Sequence, residues 1–128
     1  ENLTQNNKHH LCIIIGLDKF LNYIDDGEDN FEQLLKQVDE SGIYSFIIVD
    51  NATKLKNHEY DEWYKNYIAK EDGIWVGNGI EDQYLISISS EERRLANNCG
   101  NSFGYVVKKE TPYLVKLLEM KEKGEEDE

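Results

Sequence analysis

The 128 residues hold one proline, one methionine, two cysteines and two arginines. Cys12 falls in an apolar run and Cys99 in a polar one, so neither a disulfide framework nor a metal-ligand spacing is formed, and the pair fits a reducing compartment. No apolar run approaches the roughly 18 residues of a membrane span, and no signal peptide is visible. Positive charge is scarce as well: 14 Lys and Arg stand against 26 Asp and Glu, a formal net charge of −12. Duplex DNA or an anionic membrane would be repelled by this field, and no Lys/Arg cluster reverses it locally. Nucleic acid is therefore not an expected partner, whereas basic or apolar partners are. Part of the acidity belongs to residues 119–128, read as an acidic flexible tail. His9, His10 and His58 are the only imidazoles. A metal site made of these three is one reading, but the adjacent pair sits in a polar arm and reads as solvent-exposed, and no metal ligand is assigned.

What the chain does have is a central apolar run, Leu11-Cys12-Ile13-Ile14-Ile15, followed by Gly16-Leu17-Asp18-Lys19-Phe20. Five consecutive apolar residues, three of them β-branched, predict a strand buried on both faces of a parallel α/β sheet. From Leu17 the period changes: Leu17, Phe20, Leu21 and Ile24 make the stripe of a helix. Asp18 thus stands at a strand-to-helix switch, where α/β proteins place ligand-handling groups. An apolar strand ending in an acid is also the form of a Walker B strand, whose Asp helps to hold Mg²⁺ and is often followed by a second acid. Here Lys19 follows. An ammonium, with a reference pKa of about 10.4, accepts no proton at neutral pH and would repel a metal. An ordinary strand end remains the plainer reading of the same residues.

Residues 1–10 are polar and Asn-rich and read as a linker or loop end. Asp25 to Asn30 is an acidic turn that lacks the alternation and closing Glu of a Ca²⁺ loop, and it suits the start of a helix instead. Phe31, Leu34, Leu35 and Val38 predict that helix, with Gly42 placed to stop it. Ile43 to Val49 is a second strand ending in Asp50-Asn51. Strand, helix and strand over this length form a right-handed βαβ crossover, which sets Asp18 and Asp50 on one sheet edge. Tyr60, Trp63, Tyr64, Tyr67 and Ile68 follow at helical spacing and read either as core or as a partner surface. Ile74 to Val76 is a third short strand leading into Gly77-Asn78-Gly79. Arg93 and Arg94 lie in a polar stretch, as a solvated pair or reaching a phosphate. Tyr105 to Lys108 and Tyr113 to Leu118 predict an antiparallel hairpin, with Pro112 on an edge.

Ile13-Ile14-Ile15-Gly16-Leu17-Asp18-Lys19-Phe20, Ser41-Gly42-Ile43-Tyr44, the run Gly73 to Leu85 (GIWVGNGIEDQYL) and Phe103-Gly104-Tyr105-Val106-Val107 together resemble the carboxyl-terminal part of FtsK/SpoIIIE-type ATPase domains. The closest likeness is to the last such domain of the EssC-type, membrane-bound coupling ATPases of type VII secretion in Gram-positive bacteria. It runs from Leu11 to Leu118. The fold it implies is α/β, a partial RecA-like P-loop NTPase fold with a helix-flanked parallel sheet and a C-terminal antiparallel hairpin. The Walker A half is missing, because no Gly-x-x-x-x-Gly-Lys-Ser/Thr occurs. By the same resemblance Asp18 holds the place of the metal-associated Asp, Lys19 that of the catalytic Glu, and Asp50-Asn51 that of a polar sensor. The P-loop strand of the family would lie between Ile43–Val49 and Ile74–Val76, leaving a gap. An upstream segment, a second molecule or re-pairing of the third strand would fill it.

The function so implied is that of a degenerate, non-catalytic ATPase domain on the cytoplasmic face of the membrane. It would recognise secreted substrate proteins and regulate export beside other ATPase domains of the same, membrane-anchored chain. Tyr60, Trp63, Tyr64, Tyr67 and Trp75 are the candidate substrate contacts. No cofactor is expected in residues 1–128 themselves, with ATP and Mg²⁺ belonging to the full protein. The competing readings are a working secretion ATPase whose P-loop half lies upstream and, against the charge, a DNA translocase.

Overall fold

A computed structural model of the chain describes residues 8–95 and 100–118. Most of the expected polar arm, the loop with Cys99, the side chain of Arg94 and the acidic tail lie outside the described residues. The chain divides into two units, Glu1–Ile68 and Ala69–Glu128. The first is built on β1 (His10–Ile15) and β2 (Tyr44–Val49), which pair in parallel with Ile13 opposite Ile47 and Ile15 opposite Val49. The crossover between them runs through α1 (Leu17–Tyr23) and α2 (Gly27–Ser41). After β2 come α3 (Ala52–Lys56) and α4 (Glu62–Tyr67).

Strand alternation sends Ile14, Phe46 and Ile48 to the helix-covered face. There they meet Leu17 and Leu21 of α1, Phe31 and Leu35 of α2, and Trp63 and Tyr64 of α4. Phe31 is wholly buried at the centre, edge-on to Phe20, Phe46 and Trp63 with ring centroids 5.4, 6.5 and 5.1 Å away. Full burial of such a ring contributes about 1.5–3 kcal/mol, and T-shaped contacts add to it.

The opposite face departs from expectation. Leu11, Ile13, Ile15, Ile47 and Val49 are exposed, Ile13 by 58% and Ile15 by 78%. The run is apolar at every position, yet only the even-numbered residues point at helices, so β1 is buried on one face rather than two. A parallel sheet is ordinarily covered on both sides. This one presents an apolar surface of aliphatic side chains instead.

Each turn has a local cause. Gly16 leaves β1 at φ 80°, a left-handed conformation that costs glycine little. Gly42 ends α2 at φ 64°, its N–H donating to the Val38 carbonyl at 3.2 Å, as expected of a glycine there. The acidic turn becomes the start of α2, with Asp26 before it and Glu28 and Asp29 in the first turn facing the helix dipole. Helix α3 was not foreseen. Its signal is Asn51, whose Oδ1 accepts from the Thr53 N–H at 2.9 Å and caps it.

The second unit is a three-stranded antiparallel sheet in the order β3 (Gly73–Val76), β4 (Phe103–Lys108), β5 (Thr111–Lys116). The third strand therefore does not join the parallel sheet. It pairs antiparallel with β4, Trp75 opposite Tyr105, and Gly104 lets the backbones approach. A Cβ there would stand 2.5 Å from the Trp75 carbonyl oxygen. The expected hairpin is present as β4–β5, with Pro112 on the edge strand. Its two-residue turn, Lys109-Glu110, takes φ 49° and 65° without glycine, and is held by Asp72 Oδ1 and the Glu71 carbonyl accepting from the two N–H groups.

A short 3-10 helix (Ile80–Asp82) and α5 (Ser90–Leu95) complete this unit, over a core of Ile80, Ile88, Tyr105 and Val107. Arg93 is partly buried, and its guanidinium is engaged within the fold. Its Nη1 donates to the carbonyls of Glu81 and Gln83 at 2.8 and 2.6 Å, and its guanidinium lies 4.6 Å above the Tyr84 ring. Among the described residues no helix is long and apolar enough to cross a membrane.

Candidate functional site at the strand exits

Because β1 and β2 are parallel, both end on one edge of the sheet, and the side chains expected there are brought together. Asp50 follows β2 directly. Its Oδ2 accepts from the Leu17 N–H at 2.8 Å and its Oδ1 from its neighbour Asn51 at 2.7 Å. Gly16, at the cap position of α1, has no side chain to satisfy the first helical N–H groups. Asp50 does so from across the sheet. Its carboxylate is only 7% exposed, and Lys54 Nζ lies 4.0 Å away. Burial pushes its pKa up, but the two N–H donors, Lys54 and His58 prevail and hold it below the usual carboxylate value.

Asp18 stands in the first turn of α1, half-exposed, and Lys19 beside it is exposed. The partner of Asp18 is His58, which follows α3 in a turn. His58 Nε2 lies 2.8 Å from Asp18 Oδ1 and Nδ1 lies 2.7 Å from Asp61 Oδ2. Asp61 occupies the cap position of α4, yet its carboxylate turns to the imidazole and makes no cap bond. The ring is 12% exposed and packs 5.7 Å from the indole of Trp63. Burial lowers its pKa, whereas the hydrogen bonds and charges of Asp18 and Asp61 raise it by more, so the net shift is upward. A carboxylate on each nitrogen favours the imidazolium, which donates twice. Glu28 completes the group: one ligating atom each from Glu28, His58 and Asp61 lie within 4.8 Å of one another.

The remaining candidates separate. Asn51 is spent on capping α3. Trp63 and Tyr64, at 2% and 4% exposure, are core, so the partner-surface reading fails for them. The cause is that α4 is short and presses this pair against α2. Tyr67 packs partly buried on the same cluster, while Tyr60 lies before the helix and is 75% exposed. Trp75 belongs to the other unit, packed on its core with Nε1 donating to the Asn78 carbonyl at 2.9 Å.

His58 was grouped with His9 and His10 by sequence reasoning, which missed its carboxylate partners Asp18 and Asp61. Its signal is local, an Asp three residues on, but Asp18 is forty residues away. The other histidines sit at the start of the strands: His9 Nε2 contacts Ser45 Oγ at 2.9 Å, and His10 stacks on Tyr44. Set against protein-family models, curated proteins and solved structures, the chain matches none of them.

Proposed function

We propose that this chain is a non-catalytic, ATPase-like module of an EssC-type coupling protein of type VII secretion, built on a partial RecA-like fold. It recognises secreted substrate proteins on the cytoplasmic face of the membrane and regulates their export. One observation carries the non-catalytic part: the polar side chains at the strand exits are already engaged. Both oxygens of Asp50 accept backbone N–H groups, Asn51 caps α3, Asp18 is held by His58, and a lysine fills the next position. Nucleotide and Mg²⁺ do not fit such a set. An added cation would meet at Asp50 a carboxylate already engaged by two N–H donors and Lys54, and would share Asp18 with His58 while sitting beside Lys19.

For substrate contact, the aliphatic face of β1 and β2 supports the reading better than the aromatic residues of α4. Leu11, Ile13, Ile15, Ile47 and Val49 form a surface of the kind that α/β proteins cover with helices. The partner chemistry it suits is the apolar stripe of an amphipathic helix from the exported protein. Its test is calorimetric titration of the chain with Mg-ATP and, separately, with a helical secreted substrate of the same system. We expect no ATP turnover, and substrate binding that Ile13→Lys weakens while the fold is retained. ATP hydrolysis lost in Asp18→Ala would overturn the non-catalytic reading and favour the working motor. Substrate affinity unchanged in Ile13→Lys would remove the docking face.

A further inference from the structure

We propose that His58, Asp61 and Glu28 form a binding site for a divalent transition-metal ion of the zinc class. The three residues come from different segments: the turn after α3, the cap of α4 and the first turn of α2. Their ligating atoms already lie within 4.8 Å of one another. Around tetrahedral zinc, with bonds of about 2.0–2.2 Å, ligand atoms sit roughly 3.3–3.5 Å apart. The His58–Asp61 pair is thus as close as ligands need to be. Glu28, exposed on the first turn of α2, has the rotamer freedom to close the remaining distance of about an ångström.

Asp18 decides which imidazole nitrogen binds. Its oxygen lies 2.8 Å from Nε2. On metal binding Nδ1 would release the proton it shares with Asp61, while Nε2 keeps its own on the Asp18 carboxylate, so that Nδ1 faces Asp61 bare. Metal-binding histidines characteristically give their other N–H to a carboxylate, which fixes the ring and raises its basicity. Asp18 is therefore a positioning residue, not a ligand. One imidazole with two carboxylates suits zinc and its neighbours in the series, whereas Mg²⁺ and Ca²⁺ prefer oxygen-only sets.

The group also borders the buried face of Trp63. Trp63 is 2% exposed, its ring lies against His58, and its Nε1–H finds no acceptor among the described residues.

The experiment is titration with Zn²⁺ alone, without nucleotide, and with Co²⁺ as a spectroscopic probe. A His9→Ala/His10→Ala background removes the other imidazoles. We expect one site, tetrahedral Co²⁺ absorption, and no displacement by millimolar Mg²⁺. Glu28→Gln, exposed and harmless to folding, and Asp18→Asn should each weaken Zn²⁺ by roughly ten- to a hundredfold. His58→Gln should abolish the cobalt spectrum. Zn²⁺ affinity unchanged within twofold in Glu28→Gln and His58→Gln, or equal competition by Mg²⁺, overturns the proposal. None of these outcomes depends on ATP or on a substrate protein, so this site and the proposed function stand or fall separately.

Discussion

Replacing Asp50 with alanine should unfold the parallel unit far more readily. The side chain supplies two charge-assisted hydrogen bonds, to the N–H groups of Leu17 and Asn51, and is 7% exposed. Bonds to a charged group contribute about 1.5–3 kcal/mol each, and a lost helix cap about 1 kcal/mol. Leu17 has no alternative acceptor from Gly16, whereas Asn51 sits at a strand exit where water can replace the lost oxygen. The first bond therefore dominates, and Asp50→Ala should cost about 3 kcal/mol. Asp50→Asn, which keeps one acceptor oxygen, should cost about half of that. Urea denaturation followed by Trp63 fluorescence in a Trp75→Phe background reads this unit alone.

The same side chain makes a signed pH prediction. Its folded pKa lies below the unfolded value of about 3.9, so its stabilisation is complete above that value and is lost as pH falls through the folded pKa. Asp50→Asn should flatten the acid limb of the stability curve. An Asp50→Ala midpoint shift equivalent to under about 0.5 kcal/mol, with the acid limb unchanged, would refute the view that this carboxylate is structural.

Three further outcomes follow from the packing and the turns. His58, with its pKa raised between Asp18 and Asp61, contributes stability that is full below about 6.5 and lost as pH rises through its folded value. Denaturation in chelator from pH 6 to 9 should show that decline in the native protein and not in His58→Gln. Trp63→Ala should cost about 3–5 kcal/mol, and Tyr60→Ala under about 0.5 kcal/mol, a contrast that thermal melts resolve. Lys109→Asn with Glu110→Gly should stabilise the antiparallel unit by about 1 kcal/mol, because both positions take positive φ and Asn-Gly adopts it at lower cost. Chemical denaturation read by Trp75 tests this last change.

The elements and their order followed from local chemistry. Alternating and helical spacings located β1, α1, α2, β2 and the β4–β5 hairpin, and Gly42 and Pro112 took the roles their backbones allow. The βαβ length made the first two strands parallel and so brought Asp18 and Asp50 to one edge. Those inferences need only near neighbours in the chain. Where they failed, the deciding partner was remote. The run Leu11–Ile15 is apolar throughout and carries no mark of which face meets helices, so its exposed side depended on where α1, α2 and α4 packed. A four-residue strand such as β3 is compatible with either sheet, and its pairing with β4 depends on a remote residue, Gly104, whose missing side chain lets the backbones close on Trp75.

The site divides in the same way. Sequence by itself determined that an acid would leave each parallel strand and that a lysine, not a second acid, would follow the first. It determined too the formal net charge of −12, since charge and covalent order need no fold. Tertiary structure alone decided what those acids do: Asp50 became a cap because Gly16 has no side chain, and Asp18 met an imidazole forty positions away. Hydrogen bonding is satisfied by whichever donor the fold brings within about 3 Å, and that proximity is not written in any short stretch of the chain.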